Sequence, residues 1–309
     1  MYDLIIVGAG PGGMTAAIYA ARRKIKFLVI SLDVGGQMSW SPEVENYPGF
    51  EHISGFELTK EFIDHTKKYK VKVKQEEVLK IEKKEKKCYI TTKKRIYESK
   101  AVIIISGKKP KKLNVPGEEK FLGKGLTYCV TCDAPLYKKK RVIVVGGGNS
   151  GLEAALYLSV YAKKVYIVES SKKLFGDSYL INRILKNKKI KLVTNSKIKE
   201  IVGDKNVKGI KYDHLGKEKM LKAKGIFVEI GLITQADFID CKKNENGEIM
   251  ISRSTKNNEE NLTSIPGVFA AGDVTDIPAK QIVVAAGEGA KAVLASLEYV
   301  AKWDKKNKK

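Results

Sequence analysis

Histidine is nearly absent from this chain, cysteine is scarce, and no apolar run is long enough to cross a membrane. Three histidines (His52, His65 and His214) stand far apart. Only two of the four cysteines are close neighbours, Cys129 and Cys132. A structural zinc site needs four ligands, so none is expected, nor any other metal site. Cys88 and Cys241 have no partner at any motif spacing and are expected to be buried or incidental. Met1-Tyr2-Asp3 lacks a basic leader and runs straight into a strand pattern, so the cytoplasm is the expected compartment.

Acidic residues are also in short supply. Lys and Arg outnumber Asp and Glu to leave a net charge of +23, nearly all from lysines spread along the chain. A nucleic-acid binder would concentrate charge in a patch with interleaved aromatics. A solvated lysine-rich surface is the expected reading, with steering of an acidic protein partner as its functional counterpart. The run Lys305 to Lys309 is expected to be a frayed end. At 309 residues the chain is long enough for two domains.

What the chain does have is one unit written twice. Leu4 to Ser31 and Val142 to Glu169 align without a gap at an offset of 138. Gly8, Gly10 and Gly13 fall on Gly146, Gly148 and Gly151. Each copy opens with a β-branched apolar run, turns at glycines, and continues with apolar residues at helical spacing. A second strand comes next, Phe27–Ile30 or Val165–Val168. This is a βαβ unit with G-x-G-x-x-G at its first turn. The first glycine permits the tight turn, the second lets backbone approach a pyrophosphate, and the third lets helix and strand pack closely. Two copies in register point to two dinucleotide sites.

The copies differ at the end of the second strand. Such a position often carries an acid that binds ribose hydroxyls. The second copy has Glu169 and the first has Ser31. An acid there favours a free 2′-hydroxyl, hence NADH, and repels a 2′-phosphate. Lys172 and Lys173 keep NADPH open, since they would suit a phosphate if they folded back onto it.

The expected fold class is α/β, with two Rossmann-like dinucleotide-binding domains, the second inserted into the first. Residues 1–112 carry the first fingerprint, and Pro110, Pro116 and Gly117 mark a connection. Residues 113–242 carry the second fingerprint, and Lys242 to Gly247 marks the way back. Residues 243–309 hold a strand-like run, Val268 to Ala271, and a helix pattern from about Gln281 to Trp303. That remnant is small for a domain and is expected to complete the first.

The chemistry centres on Tyr128-Cys129-Val130-Thr131-Cys132-Asp133. Two thiols at this spacing close a small disulfide and pass electrons in pairs. Thiolate is the reactive form, favoured by positive charge or a helix N-terminus. Lys138 to Arg141 come soon after, though spacing does not say whether they face the thiols. Asp133 is placed for proton transfer to a leaving thiolate, or for an ordinary helix cap.

Together these motifs resemble one family, the low-molecular-weight thioredoxin reductases with the flavoprotein subunit of alkyl hydroperoxide reductase. The resemblance rests on Gly8 to Gly13, Gly35-Gly36-Gln37, Glu45 to Gly49, Cys129 to Asp133, Gly146 to Gly151 and Gly267 to Asp273. The runs Gly225 to Gly231 and Lys280 to Lys291 are closer to the peroxide-reductase flavoprotein. The resemblance implies FAD against Gly8, Gly10, Gly13, Gly36, Gln37, Asn46, Asp273 and Gln281. It implies a nicotinamide cofactor against Gly146, Gly148, Gly151 and Glu169. Cys132 would face the flavin, Cys129 would attack the partner disulfide, and Asp133 would move the proton. The family rotates one domain against the other, which would place hinges near Leu113–Gly117 and Cys241–Gly247. It is usually homodimeric.

Members that use NADPH carry a histidine-arginine-arginine cluster after the second strand. This chain has Glu169-Ser170-Ser171-Lys172-Lys173 there. The peroxide-reductase flavoprotein carries an N-terminal extension with its own dithiol. This sequence begins at the flavin domain, so a separate thioredoxin-like or glutaredoxin-like protein is the expected acceptor. Two alternatives stand beside this reading: the same dithiol flavoenzyme fed by ferredoxin or a deazaflavin, and a flavin-based redox sensor.

Overall fold

The computed structural model describes residues 1–40, 44–254 and 259–307. The side chain of Cys132 lies outside the described residues. Two compact units divide the chain, one of Met1–Lys109 with Ile233–Lys309 and one of Pro110–Leu232.

In the first unit, β1 (Tyr2–Val7), α1 (Pro11–Arg22) and β2 (Phe27–Ser31) form the expected βαβ unit. Then come α2 (Gly55–Lys68), β3 (Val73–Gln75), β4 (Val78–Lys84), β5 (Lys87–Thr92), β6 (Ile96–Ile104) and β7 (Lys108–Pro110), where the chain crosses into the second unit. The sheet runs β3-β2-β1-β6-β5-β4. β1 is parallel to β2 and β6, while β5 pairs antiparallel with β6 and β4. The burial of β6 records both roles. Ile96 to Lys100 alternates, as a one-faced antiparallel strand does, and Ala101 to Ile104 is buried throughout between parallel neighbours.

The second unit contains α3 (Glu118–Phe121), β8 (Leu126–Thr127), α4 (Val130–Asp133), β9 (Arg141–Val145), α5 (Asn149–Tyr161) and β10 (Lys164–Val168). It continues with α6 (Ser178–Lys186), β11 (Ile190–Val193), β12 (Ser196–Gly203), β13 (Val207–His214), β14 (Lys217–Lys222), β15 (Gly225–Val228) and β16 (Leu232–Thr234), where the chain returns. Its parallel sheet runs β11-β10-β9-β15-β8, and β12-β13-β14 form an antiparallel meander. Both units thus combine a parallel core with antiparallel strands, which continue the same sheet in the first unit and form a separate one in the second.

Back in the first unit, β17 (Val268–Ala270) adds parallel to β6, and α7 (Ile282–Asn307) packs on α1. The polar stretch Lys242 to Gly247 lies within this unit, where Asn244 Oδ1 accepts from the Asn246 and Glu248 N–H groups and closes a turn. The C-terminal run is not frayed at Lys305, because α7 continues to Asn307. Its end is tied down: Lys100 Nζ lies 2.6 Å from Asp304 and 2.7 Å from Asp3, and Trp303 donates to Lys86 O at 3.0 Å. Lys308 and Lys309 lie outside the described residues.

Candidate cofactor and redox sites

The first glycine turn closes against the end of β6. Gly8 has φ +113°, and a Cβ there would lie 2.2 Å from the Ile105 carbonyl oxygen, so no larger residue fits. Gly13 presses on Gly8, where a Cβ would sit 2.0 Å from the Gly8 carbonyl. Gly10 is different: among the described residues the only outside atom within 4 Å of its open side is Gly35 O, at 3.9 Å. Gly36 stands opposite, its Cβ direction 3.5 Å from Gly10 Cα, and Gln37 comes next in a 3-10 turn. The α1 N-terminus has no side-chain cap and no acid in its first turn. By contrast, α2 is closed by a full capping box from Ser54 and Glu57. An uncapped, glycine-lined helix start is a cradle for an anion, and the groups present fit the diphosphate of a dinucleotide.

The other residues expected around a flavin belong to the same unit. Gly272, beside Asp273, packs against Ala285 and Ile105, the residue that closes Gly8. Burial raises the Asp273 carboxyl above its ordinary range, opposed by the charges of Lys280 and Lys108. Asn46 Nδ2 donates to Gln281 Oε1 at 3.1 Å, joining residues distant in sequence.

The second glycine turn repeats the first bond for bond. Gly146 has φ +121°, and a Cβ there would lie 2.1 Å from the Glu229 carbonyl oxygen. Gly151 presses on Gly146 O at 2.1 Å. The α5 N-terminus is likewise uncapped and free of acids in its first turn. Glu169 is 5% exposed and fully engaged with its neighbours. Gly147 N–H donates to its Oε2 at 2.8 Å, and Ser171 N–H and Ser170 Oγ donate to its Oε1 at 2.7 and 3.0 Å. Ser31 makes the matching bond in the first unit, accepting from Ala9 N–H at 3.1 Å. Four lone-pair positions on a carboxylate leave one for a ribose hydroxyl after these three bonds. Lys172 and Lys173 are both exposed.

The redox turn lies in the second unit too. β8 leads through Tyr128 and Cys129 into α4, which lies against α5. Cys129 is half-buried and disulfide-bonded, while Cys88 and Cys241 are free thiols. Its N–H donates to Thr127 Oγ1 at 3.0 Å. Burial pushes the Cys88 thiol up to about 11 and raises Cys241 as well, which keeps both as unreactive thiols. Asp133 is half-buried and makes no capping bond to the 3-10 turn after it. The side chains of Lys138, Lys139 and Lys140 are exposed, and Lys140 turns back to Leu136 O at 2.9 Å.

Three carboxyl groups that spacing alone did not reveal shape these sites. Glu118, 4% exposed, accepts from the Leu113 and Asn114 N–H groups at 2.7 Å each and from Tyr128 Oη at 2.5 Å. It therefore ties the connecting segment to the residue before Cys129. Glu248, 8% exposed, binds Lys108 at 3.0 Å, Lys280 at 3.1 Å and Asn244 at 2.7 Å. Burial opposes its charge, but these partners outweigh it and hold the carboxyl at about 2. Glu229 takes the place of Ile105, and its carboxyl is pushed up to about 8 by burial and then by the charge of Glu153. The only signals for these in the sequence were acids next to turns, which are common on any surface.

The family model for pyridine nucleotide-disulphide oxidoreductases matches residues 2–289, a span that includes both glycine turns and the Cys129 turn. The chain belongs to this family. An alkyl hydroperoxide reductase subunit of Staphylococcus epidermidis is 37% identical over 305 residues, 97% of this chain and 59% of that protein. The chain thus spans about 59% of the length of the curated relatives it matches. Thioredoxin reductase of Lactococcus lactis has a TM-score of 0.86 at 34% identity, covering 98% of this chain and 100% of that one. Thioredoxin reductase of T. acidophilum has a TM-score of 0.82 at 40% identity, covering 98% and 99%. The resemblance seen in the motifs and the α/β fold with two Rossmann-like arrangements are both borne out.

Proposed function

We propose that the chain is an FAD-dependent disulfide reductase that passes electrons from NADH to the Cys129–Cys132 dithiol and on to a thioredoxin-like or glutaredoxin-like protein. The observation that carries this reading is the construction of the second unit. One parallel sheet bears an uncapped glycine turn at α5 and, on α4 against it, the Cys129 turn.

Gly8, Gly10, Gly13, Gly36, Gln37, Asn46, Asp273 and Gln281 would hold FAD, and Gly146, Gly148, Gly151 and Glu169 the nicotinamide dinucleotide. The bound flavin supplies two-electron transfer between nicotinamide and dithiol. Once reduced, the Cys129 thiolate attacks one sulfur of the partner disulfide, forming a mixed disulfide and releasing a partner thiolate. Cys132 then attacks Cys129 Sγ, which restores the Cys129–Cys132 disulfide and releases the second partner thiolate. Asp133, uncommitted to the helix turn beside it, would carry a proton to a leaving thiolate. Among the described residues no helix is long and apolar enough to cross a membrane. A cytoplasmic homodimer is the form this reading expects.

Cys129→Ser is the test. Reductase turnover on a disulfide redoxin is expected to vanish while NADH still bleaches the flavin. Normal turnover in that variant would end the dithiol reading. A second reading, electrons from ferredoxin, has one point in its favour. A ferredoxin-flavin thioredoxin reductase from Clostridium acetobutylicum resembles the chain at TM-score 0.55 and 30% identity.

A further inference from the structure

The loop that closes over each glycine turn is anchored by an equivalent bond. In the first unit Gly35 N–H donates to Ala9 O at 2.8 Å, and in the second Phe175 N–H donates to Gly147 O at 3.0 Å. Beyond that bond the two loops differ. Over the first turn lie two glycines, Gly35 and Gly36, which leave Gly10 open. Over the second lies an aromatic ring. A Cβ on Gly148 would meet Phe175 ring carbons at 3.4 and 3.7 Å, and nothing else within 4 Å among the described residues. Gly148 is the glycine whose missing side chain admits a pyrophosphate to the helix start. The ring therefore stands in that approach.

The backbone under the ring is fixed and the ring is not. Asp177 N–H donates to Asn149 Oδ1 at 2.7 Å, and Asn149 Nδ2 donates back to Asp177 Oδ2 at 3.1 Å. Leu174 packs on Gly147, where a Cβ would meet its Cδ2 at 2.9 Å. Yet Phe175 itself is 65% exposed. A side chain so exposed, on an anchored loop, changes rotamer on the picosecond-to-nanosecond scale without moving the backbone.

We propose that Phe175 is an aromatic lid on the second dinucleotide site, closed in the free protein over the place where the diphosphate must reach the N–H groups at the start of α5. The proposal rests on reading this turn as the nicotinamide dinucleotide site. Its consequence is quantitative: the apparent Kd is the intrinsic one divided by the fraction of time the lid is open. If the lid is open between about a third and about a tenth of the time, its removal tightens binding by about three- to tenfold.

The test is calorimetric titration of the full FAD-loaded chain with ADP-ribose, which carries the diphosphate and adenosine but cannot reduce the flavin. Phe175→Ala is expected to bind about three- to tenfold more tightly than the unaltered protein, with its melting temperature unchanged. Equal affinity would overturn the lid. Weaker affinity would overturn it as well and make the ring a surface on which the nucleotide packs. If neither protein binds ADP-ribose, the dinucleotide reading of the turn fails and takes the lid with it, an outcome distinct from equal binding by both.

Discussion

Gly35 and Gly36 lie over the first glycine turn, whereas Phe175 lies over the second, although both turns are built from the same bonds. Ser31 and Glu169 make the same contact to the turn, the one as a neutral hydroxyl and the other as a carboxylate. Ile105 and Glu229 close the two turns through the same carbonyl position, yet one side chain is apolar and the other is a half-buried acid. The shared part of the architecture is thus backbone, fixed by sterics at Gly8 and Gly146. The variable part is the side chains around it, and on the proposed reading they separate the site of a resident flavin from that of a nicotinamide dinucleotide that comes and goes.

That separation is breakable at the glycines. Gly8→Ala forces a Cβ to 2.2 Å from backbone oxygen and is expected to abolish flavin retention, giving colourless protein. Gly146→Ala creates the same clash, at 2.1 Å from Glu229 O, but in the other unit. It is expected to leave the protein yellow and to remove its response to NADH. Absorbance at the flavin band reads both outcomes. Loss of flavin in Gly146→Ala would erase the distinction between the two turns.

Glu229 offers a smaller lever. Its folded carboxyl titrates at about 8 against an ordinary value of 4.5. Between those values the unfolded chain has lost a proton that the folded chain keeps, so stability falls as pH rises. The full contribution is present below about 4.5 and is gone above about 8. Discounted for its partial exposure, the loss is about 1–2 kcal/mol. Thermal melts of Glu229→Gln from pH 5 to pH 9 are expected to be flatter than those of the unaltered protein by about that amount. Parallel curves would show that the acid is solvated.

Glu169→Ser, which gives the second turn the residue of the first, is expected to act most gently. It removes the charge that disfavours a 2′-phosphate, so the preference for NADH over NADPH should fall by about three- to tenfold, or up to about 1.4 kcal/mol. Comparison of kcat/KM for the two donors measures it, and an unchanged ratio would move the selectivity to Lys172 and Lys173.

Much of this was legible in the sequence because glycine turns and a cysteine pair are local patterns. The offset of 138 aligned Gly8 with Gly146 and Ser31 with Glu169, and every one of those residues sits at its matching place in the structure. The repeat continues beyond that, but Ile105 and Glu229 are not 138 residues apart, because the loops and helices between the strands differ in length. Gapless alignment therefore ended where the structural equivalence did not. Glu118 and Glu248 were invisible for another reason: their importance lies in backbone N–H groups and lysines that only tertiary folding brings to them. The helix end was not legible because a lysine-rich run reads as solvated, whereas Trp303 and Asp304 anchor it to Lys86 and Lys100.

On the proposed reading, electrons that enter at the second glycine turn would have to reach a flavin held at the first. Anaerobic titration of the purified yellow protein with NADH, and separately with NADPH, followed at the flavin absorbance, decides whether they do. Complete bleaching by NADH within catalytic time is expected at about two equivalents per chain, because the disulfide at Cys129 takes up one electron pair and the flavin the other, with a slower response to NADPH. A flavin that neither nucleotide bleaches would contradict this route and point to a donor that never occupies the Gly146–Gly151 turn.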